Sequence, residues 1–187
     1  MLEVIIGSMY AGKSTSLYNR ALDAEEVGKR LIIFKPSIDN RYSEDEMVTH
    51  DGSSWPCTVI KEPKEMMDIV NDYDVVLIDE AQFFPPNLAP YVEMIASTKS
   101  VAAAGLLTDF RGQPFPSMVP LICMADSIIH VHAKCSDCDS PYAAWSQRIV
   151  DGKPVTDGEV VLVGGAESYE PKCRDCFVTK NTVVASF

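Results

Sequence analysis

Gly7-Ser-Met-Tyr-Ala-Gly12-Lys13-Ser14 follows the spacing G-x-x-x-x-G-K-[ST], and its flanks are those the pattern requires. Before it stands Leu2-Glu-Val-Ile-Ile6, a short apolar run rich in β-branched residues, which reads as a buried strand. After it, Leu17, Tyr18, Ala21, Leu22 and Ala24 recur at helical spacing and predict a helix over 14–26. Strand, glycine loop and helix N-terminus together make an anion cradle. The glycines let backbone N–H groups converge on phosphate oxygens, and the helix dipole adds positive potential. In this cradle Lys13 is expected to reach the β- and γ-phosphates of a nucleotide, and the Ser14 hydroxyl to ligate Mg²⁺. The loop alone does not say which phosphate reaction follows.

Four further apolar runs, at 30–35, 74–79, 100–104 and 127–132, read as strands. Segments around 64–71, 88–98 and 118–125 between them can be helical. Near-continuous apolar strands alternating with helices predict an α/β fold, a parallel sheet with helices on both faces. With its glycine loop this is the P-loop NTPase (RecA-like) architecture, which binds ligands at the C-terminal ends of strands. Past about residue 133 the helical periodicity stops, and Gly, Pro, Asp and paired cysteines take over. The expected division is a P-loop domain over 1–132 and a small C-terminal zinc-binding domain over 133–187.

The third strand closes on Asp79-Glu80-Ala81-Gln82. Two acids after a strand can cap a helix. Beside a phosphate loop they read instead as the second half of a nucleotide site, with Asp79 holding Mg²⁺. Glu80 is then placed to take a proton from the attacking nucleophile.

Cys135-x-x-Cys138 and Cys173-x-x-Cys176 are two chelating half-sites separated by residues 139–172. Two such pairs complete a tetrahedral Zn²⁺ site with Zn–S bonds of about 2.3 Å. A single pair could be redox-active, but no thioredoxin-like βαβ context accompanies either one. Structural zinc is therefore expected, pinning a long loop at its base. Cys57 and Cys123 read as ordinary buried or half-buried thiols. His50, His130 and His132 show no ligand spacing and read as structural.

Charge narrows the choice of partners. The 187 residues carry a net charge of −11, which disfavours a nucleic-acid backbone as partner. No apolar run approaches the roughly 20 residues of a membrane span. No basic stretch or cleavage site precedes the first strand, so the expected location is the cytoplasm.

Five motifs stand in fixed order: the glycine loop, Asp79-Glu-Ala-Gln-Phe-Phe84, Thr108-Asp-Phe-Arg-Gly112, Gly164-Gly-Ala-Glu-Ser-Tyr169 and Cys173-Arg-Asp-Cys176. In these the chain resembles the type II thymidine kinases, the zinc-containing cytosolic class, over nearly its whole length. The resemblance implies transfer of the γ-phosphate of ATP, with Mg²⁺, to the 5′-hydroxyl of thymidine. It gives Glu80 the role of catalytic base, with Lys13 and Arg41 at the transferring phosphate. It implies nucleotide contacts at Gly7, Ser8, Met9, Tyr10, Ala11, Gly12, Lys13, Ser14, Thr15, Asp79, Glu80, Ala81 and Gln82. The nucleoside pocket would be lined by Met9, Asp39, Phe83, Leu106, Phe110 and Ser146. A lasso loop carrying Leu162, Val163, Gly164, Gly165 and Tyr169 would close over the base. The same resemblance implies one structural zinc on Cys135, Cys138, Cys173 and Cys176, a homotetramer, and feedback inhibition by thymidine triphosphate. The chain departs from the family pattern at Asp139-Ser-Pro-Tyr142, about one residue long, at Trp145 for a usual tyrosine, and at Gln147 for a common basic residue.

Other classes fit less well. A helicase-type motor shares Asp79-Glu-Ala-Gln82 but needs two RecA-like domains and a basic track. A GTPase needs an N-K-x-D motif, which the sequence lacks. A zinc-stabilised binding module would leave Lys13, Asp79 and Glu80 without a role.

Overall fold

A computed structural model describes residues 1–37, 46–48, 52–160 and 168–180. In chain order the elements are β1 (Leu2–Ile6), α1 (Lys13–Glu26), β2 (Leu31–Pro36), β3 (Glu46–Val48), β4 (Ser54–Pro56), β5 (Thr58–Ile60) and α2 (Glu65–Ile69). There follow β6 (Val75–Ile78), α3 (Leu88–Ala96), β7 (Ser100–Gly105), α4 (Met118–Met124) and β8 (Ser127–His130). The C-terminal part adds β9 (Trp145–Val150), β10 (Lys153–Val155) and β11 (Ser168–Lys172).

Six strands form one parallel sheet in the order β5-β2-β6-β7-β1-β8. Alternate residues of each strand face opposite sides. Leu2, Val4 and Ile6, with Ile32, Phe34, Val76, Ile78, Val101 and Ala103, pack against Met66, Leu88, Val92, Ile95, Met118 and Leu121 of α2, α3 and α4. On the other face Ile5, Ile33, Leu77, Ala102 and Ala104 pack against Leu17, Ala21 and Ala24 of α1, and against Met47. Helices thus cover both faces, as the unbroken apolar runs require. Glu3, mid-strand on the α1 side, is buried, and its carboxylate accepts from Arg20 Nε at 2.8 Å and Nη2 at 3.2 Å. This pair ties α1 to β1.

All five strands and all four helices read from the sequence are present. Three-residue strands beyond those five are also present: β5 extends the sheet at its edge, and β3 pairs antiparallel with β4. A second sheet, beyond the expected elements, is antiparallel in the order β10-β9-β11, with Tyr169 opposite Arg148 and Lys172 opposite Trp145. Among the described residues no helix is long and apolar enough to cross a membrane.

Candidate active site and four-cysteine centre

The glycine loop leaves β1 at Ile6 and turns into α1 at Lys13. Its backbone is tightly constrained. A Cβ on Gly7 would lie 2.3 Å from the Val131 carbonyl oxygen, so only glycine fits beneath the end of β8. Gly12 caps α1 with φ 86°, and Tyr10 also has positive φ, 64°. Left-handed backbone at these positions is how such a loop aims successive N–H groups inward. Lys13 Nζ donates to the Ser8 carbonyl at 2.8 Å, which holds the ammonium over the loop. Ser14 and Thr15 occupy the first turn of α1, half-buried.

Two hydrogen bonds join this loop to the C-terminal region. The Ser8 hydroxyl donates to the Ala143 carbonyl at 3.1 Å, and the Met9 N–H donates to Ser146 Oγ at 2.9 Å. Ala11 packs against Ala133, Cys135, Ala143 and Cys173.

β6 ends two places from β1 in the same parallel sheet, so Asp79 emerges at the same sheet end as the glycine loop. Asp79 is buried, and its Oδ1 accepts the Glu80 N–H at 3.0 Å. Burial, then the negative charge of Glu80, push its carboxyl up to about 7, against the opposing charges of Lys35 and Lys13. A carboxylate pushed up by desolvation is one that a cation would stabilise. Glu80 has φ 51°, a left-handed conformation that is costly for glutamate. Such strain persists only where the surroundings hold it. They do so through Gln82, whose Nε2 donates to Glu80 Oε2 while its Oε1 accepts the Leu106 N–H at 3.0 Å. The Ser117 hydroxyl lies 3.1 Å from the carbonyls of both Ala81 and Gln82, fixing the turn that carries them.

The thiols of Cys135, Cys138, Cys173 and Cys176 lie within 4.8 Å of one another. Four sulfurs at about 2.3 Å from one Zn²⁺ sit roughly 3.8 Å apart, so this cluster can hold the ion. Cys138 Sγ and Cys173 Sγ are 3.6 Å apart, and the Cys173 N–H points at Cys135 Sγ at 3.3 Å. Burial pushes the Cys135 thiol up, but N–H groups of Cys173, Asp137 and Cys138 outweigh it and hold it at about 6. Lys172 reinforces the arrangement, bridging Asp137 on the first knuckle and Glu170 on β11. Cys57 is half-buried, as read, whereas Cys123 is exposed on α4. His130 and His132 are exposed and packed ring to ring at 4.1 Å.

Met9, Phe83 and Leu106 join one apolar cluster at this sheet end, with Phe115 and Val160. Phe115 meets Phe83 edge to face at 6.0 Å. Phe115, a lone aromatic in a loop, carries no periodic signal in the sequence. Phe110 is buried at the tip of a turn stitched by Asp109, whose carboxylate accepts from the Arg111 guanidinium and from the N–H groups of Arg111 and Gln113. Arg148 stacks on the Phe110 ring at 3.8 Å and donates to the Tyr169 hydroxyl. Spacing gave Arg148 no role. Trp145 stacks on Phe177 at 4.9 Å, and Gln147 is buried between the carbonyl of Val155 and the N–H of Val178. Asp39, Arg41, His50, Leu162, Val163, Gly164 and Gly165 lie outside the described residues.

A parallel sheet whose first strand runs into such a loop is that of a P-loop NTPase-like α/β protein, here with a C-terminal centre fit for zinc. Over residues 1–177 the chain matches the model of the thymidine kinase family, and it belongs to that family. It is an ATP-dependent kinase of thymidine.

Proposed function

We propose that phosphoryl transfer proceeds with Glu80 as general base on the thymidine 5′-hydroxyl and Lys13 as the cation on the transferring phosphate. The observation that carries this reading is the Gln82 amide holding Glu80 at the strand end beside Asp79. Glu80 takes the 5′-hydroxyl proton as the oxygen attacks the γ-phosphorus of ATP, and ADP leaves. Lys13, whose charge is felt at Asp79, swings from the Ser8 carbonyl to the β- and γ-oxygens, where negative charge is greatest in transfer. Ser14 and Asp79 are the residues that would hold Mg²⁺, which when bound neutralises phosphate charge. Arg41 and Asp39 join the phosphate and sugar side on the strength of the family motif. Met9, Phe83, Leu106, Phe110, Ser146 and Tyr169, with Leu162, Val163, Gly164 and Gly165, form the nucleoside side.

Zinc on the four cysteines supports the division into a nucleotide domain over 1–132 and a zinc domain over 133–187. A cytoplasmic homotetramer inhibited by thymidine triphosphate follows from the family resemblance. Steady-state kinetics of Glu80→Gln test the central assignment. Loss of a general base lowers kcat by about 10²–10⁴-fold with the fold intact. An unchanged kcat with a raised KM would make Glu80 a binding residue instead.

A further inference from the structure

Arg148 lies mid-way along β9 at 1% exposure, the largest fully buried side chain among the described residues. Its Nε and Nη2 donate to the Tyr169 hydroxyl at 2.9 and 2.7 Å. Nη1 donates to the Glu159 carbonyl at 2.7 Å, and Nη2 also to the Val160 carbonyl at 2.8 Å. The guanidinium carbon sits 3.8 Å from the centre of the Phe110 ring. One flat cation therefore joins the turn after β7, the 159–160 segment and β11.

We infer that Arg148 is the positioning residue of the nucleoside pocket, setting thymidine affinity while other side chains carry the chemistry. The inference rests on the assignment of Phe110 and Tyr169 to that pocket. A guanidinium presents its donors in a rigid plane, so its edge can bind oxygens while its face stacks on a ring. Both tasks are done here at once. Clamping the Val160 carbonyl sets the place of the Val160 side chain, which packs on the cluster holding Met9, Phe83 and Leu106. The Tyr169 oxygen, already accepting two N–H groups, keeps only its own proton to offer. Lysine, with a point charge on a flexible stem, cannot reproduce the fork or the stacking.

The test is steady-state kinetics of the full chain with Arg148→Lys, Tyr169→Phe and Phe110→Leu, varying thymidine and ATP separately. For Arg148→Lys the thymidine KM rises on the order of tenfold, the weight of one charge-assisted hydrogen bond, with kcat and ATP KM within about twofold. Tyr169→Phe raises the thymidine KM in the same direction, and combining it with Arg148→Lys gives less than the product of the two effects. An unchanged thymidine KM in Arg148→Lys overturns the inference, as does a parallel loss of kcat, ATP affinity and melting temperature. Should Arg148→Lys not fold, a silent Tyr169→Phe beside an impaired Phe110→Leu overturns it equally. If Tyr169→Phe and Phe110→Leu are both silent, the pocket assignment itself fails, and the inference with it.

Discussion

The buried amide of Gln82 donates to the Glu80 carboxylate and accepts from the Leu106 backbone, so its orientation is fixed from both ends. The role of general base proposed for Glu80, whose backbone is left-handed, needs such a holder. Replacing Gln82 with Met removes the donor and leaves the Leu106 N–H unpaired in a buried place. An unpaired buried donor costs about 1–3 kcal/mol of stability. Thermal melts should show that loss. Kinetics should show kcat falling by roughly tenfold or more, with both KM values nearly constant, since positioning of a base is felt mainly in the transition state. A kcat equal to that of the unaltered protein would mean that Glu80 is held by other contacts.

Removing metal from the four cysteines should reach further than the nucleoside side. The Ser8–Ala143 and Met9–Ser146 hydrogen bonds, and the packing of Ala11 on Cys135 and Cys173, attach the glycine loop to the same segment. Chelation should therefore raise the KM of ATP as well as that of thymidine. Metal analysis should give one zinc per chain before treatment, because a structural zinc site of this kind carries folding free energy. An ATP KM indifferent to chelation would show that the loop holds its shape alone.

Asp79 predicts a pH dependence of stability with a definite sign. Its carboxyl stands at about 7 in the folded chain against 3.8 for the ordinary group. The folded state thus binds the proton more tightly, and stability rises with protonation. The contribution is fully present below about pH 4 and is lost as pH climbs through about 7. Urea unfolding of the nucleotide-free protein between pH 5 and 8 should show falling stability, and Asp79→Asn should flatten the curve. A wild-type curve that rises with pH over this window while Asp79→Asn matches it would remove Asp79 as the cause.

Gly7→Ala places a methyl against backbone rather than against a movable side chain. Overpacking of this kind typically costs about 1–3 kcal/mol. The strain falls where the loop meets β8, so the ATP KM should rise more than the thymidine KM. A crystal structure of the variant with an undisplaced loop would contradict the steric argument.

The nucleotide half was legible because its strands are buried on both faces, which forces runs such as Val75–Ile78 to be apolar throughout. The glycine loop and the cysteine pairs were legible because their chemistry demands fixed spacing. The second sheet was not. In β9 the successive residues Ser146, Gln147 and Arg148 are all buried, satisfied by Met9, Val155, Val178, Tyr169 and two carbonyls of the 159–160 segment. No hydropathy pattern marks polar side chains as interior when their partners lie elsewhere in the chain. Phe115 escaped for the related reason that its place is set by its edge-to-face contact with Phe83, more than thirty residues earlier in the chain.

β1 pairs with β7 and β8, Leu2 beside Val101 and Glu3 beside Ser127. β1 therefore leaves the ribosome well before the strands it pairs with, and is joined to β7 (Ser100–Gly105) and β8 (Ser127–His130) only once they have emerged. Until then Leu2-Glu-Val-Ile-Ile6 waits as an apolar ribbon with two open edges, while β2 can already pair with β6. Non-local parallel pairing of this sort is slow, and waiting edges invite association with other chains. Nascent chains arrested before β7 should depend on chaperones, and those arrested beyond β8 much less so.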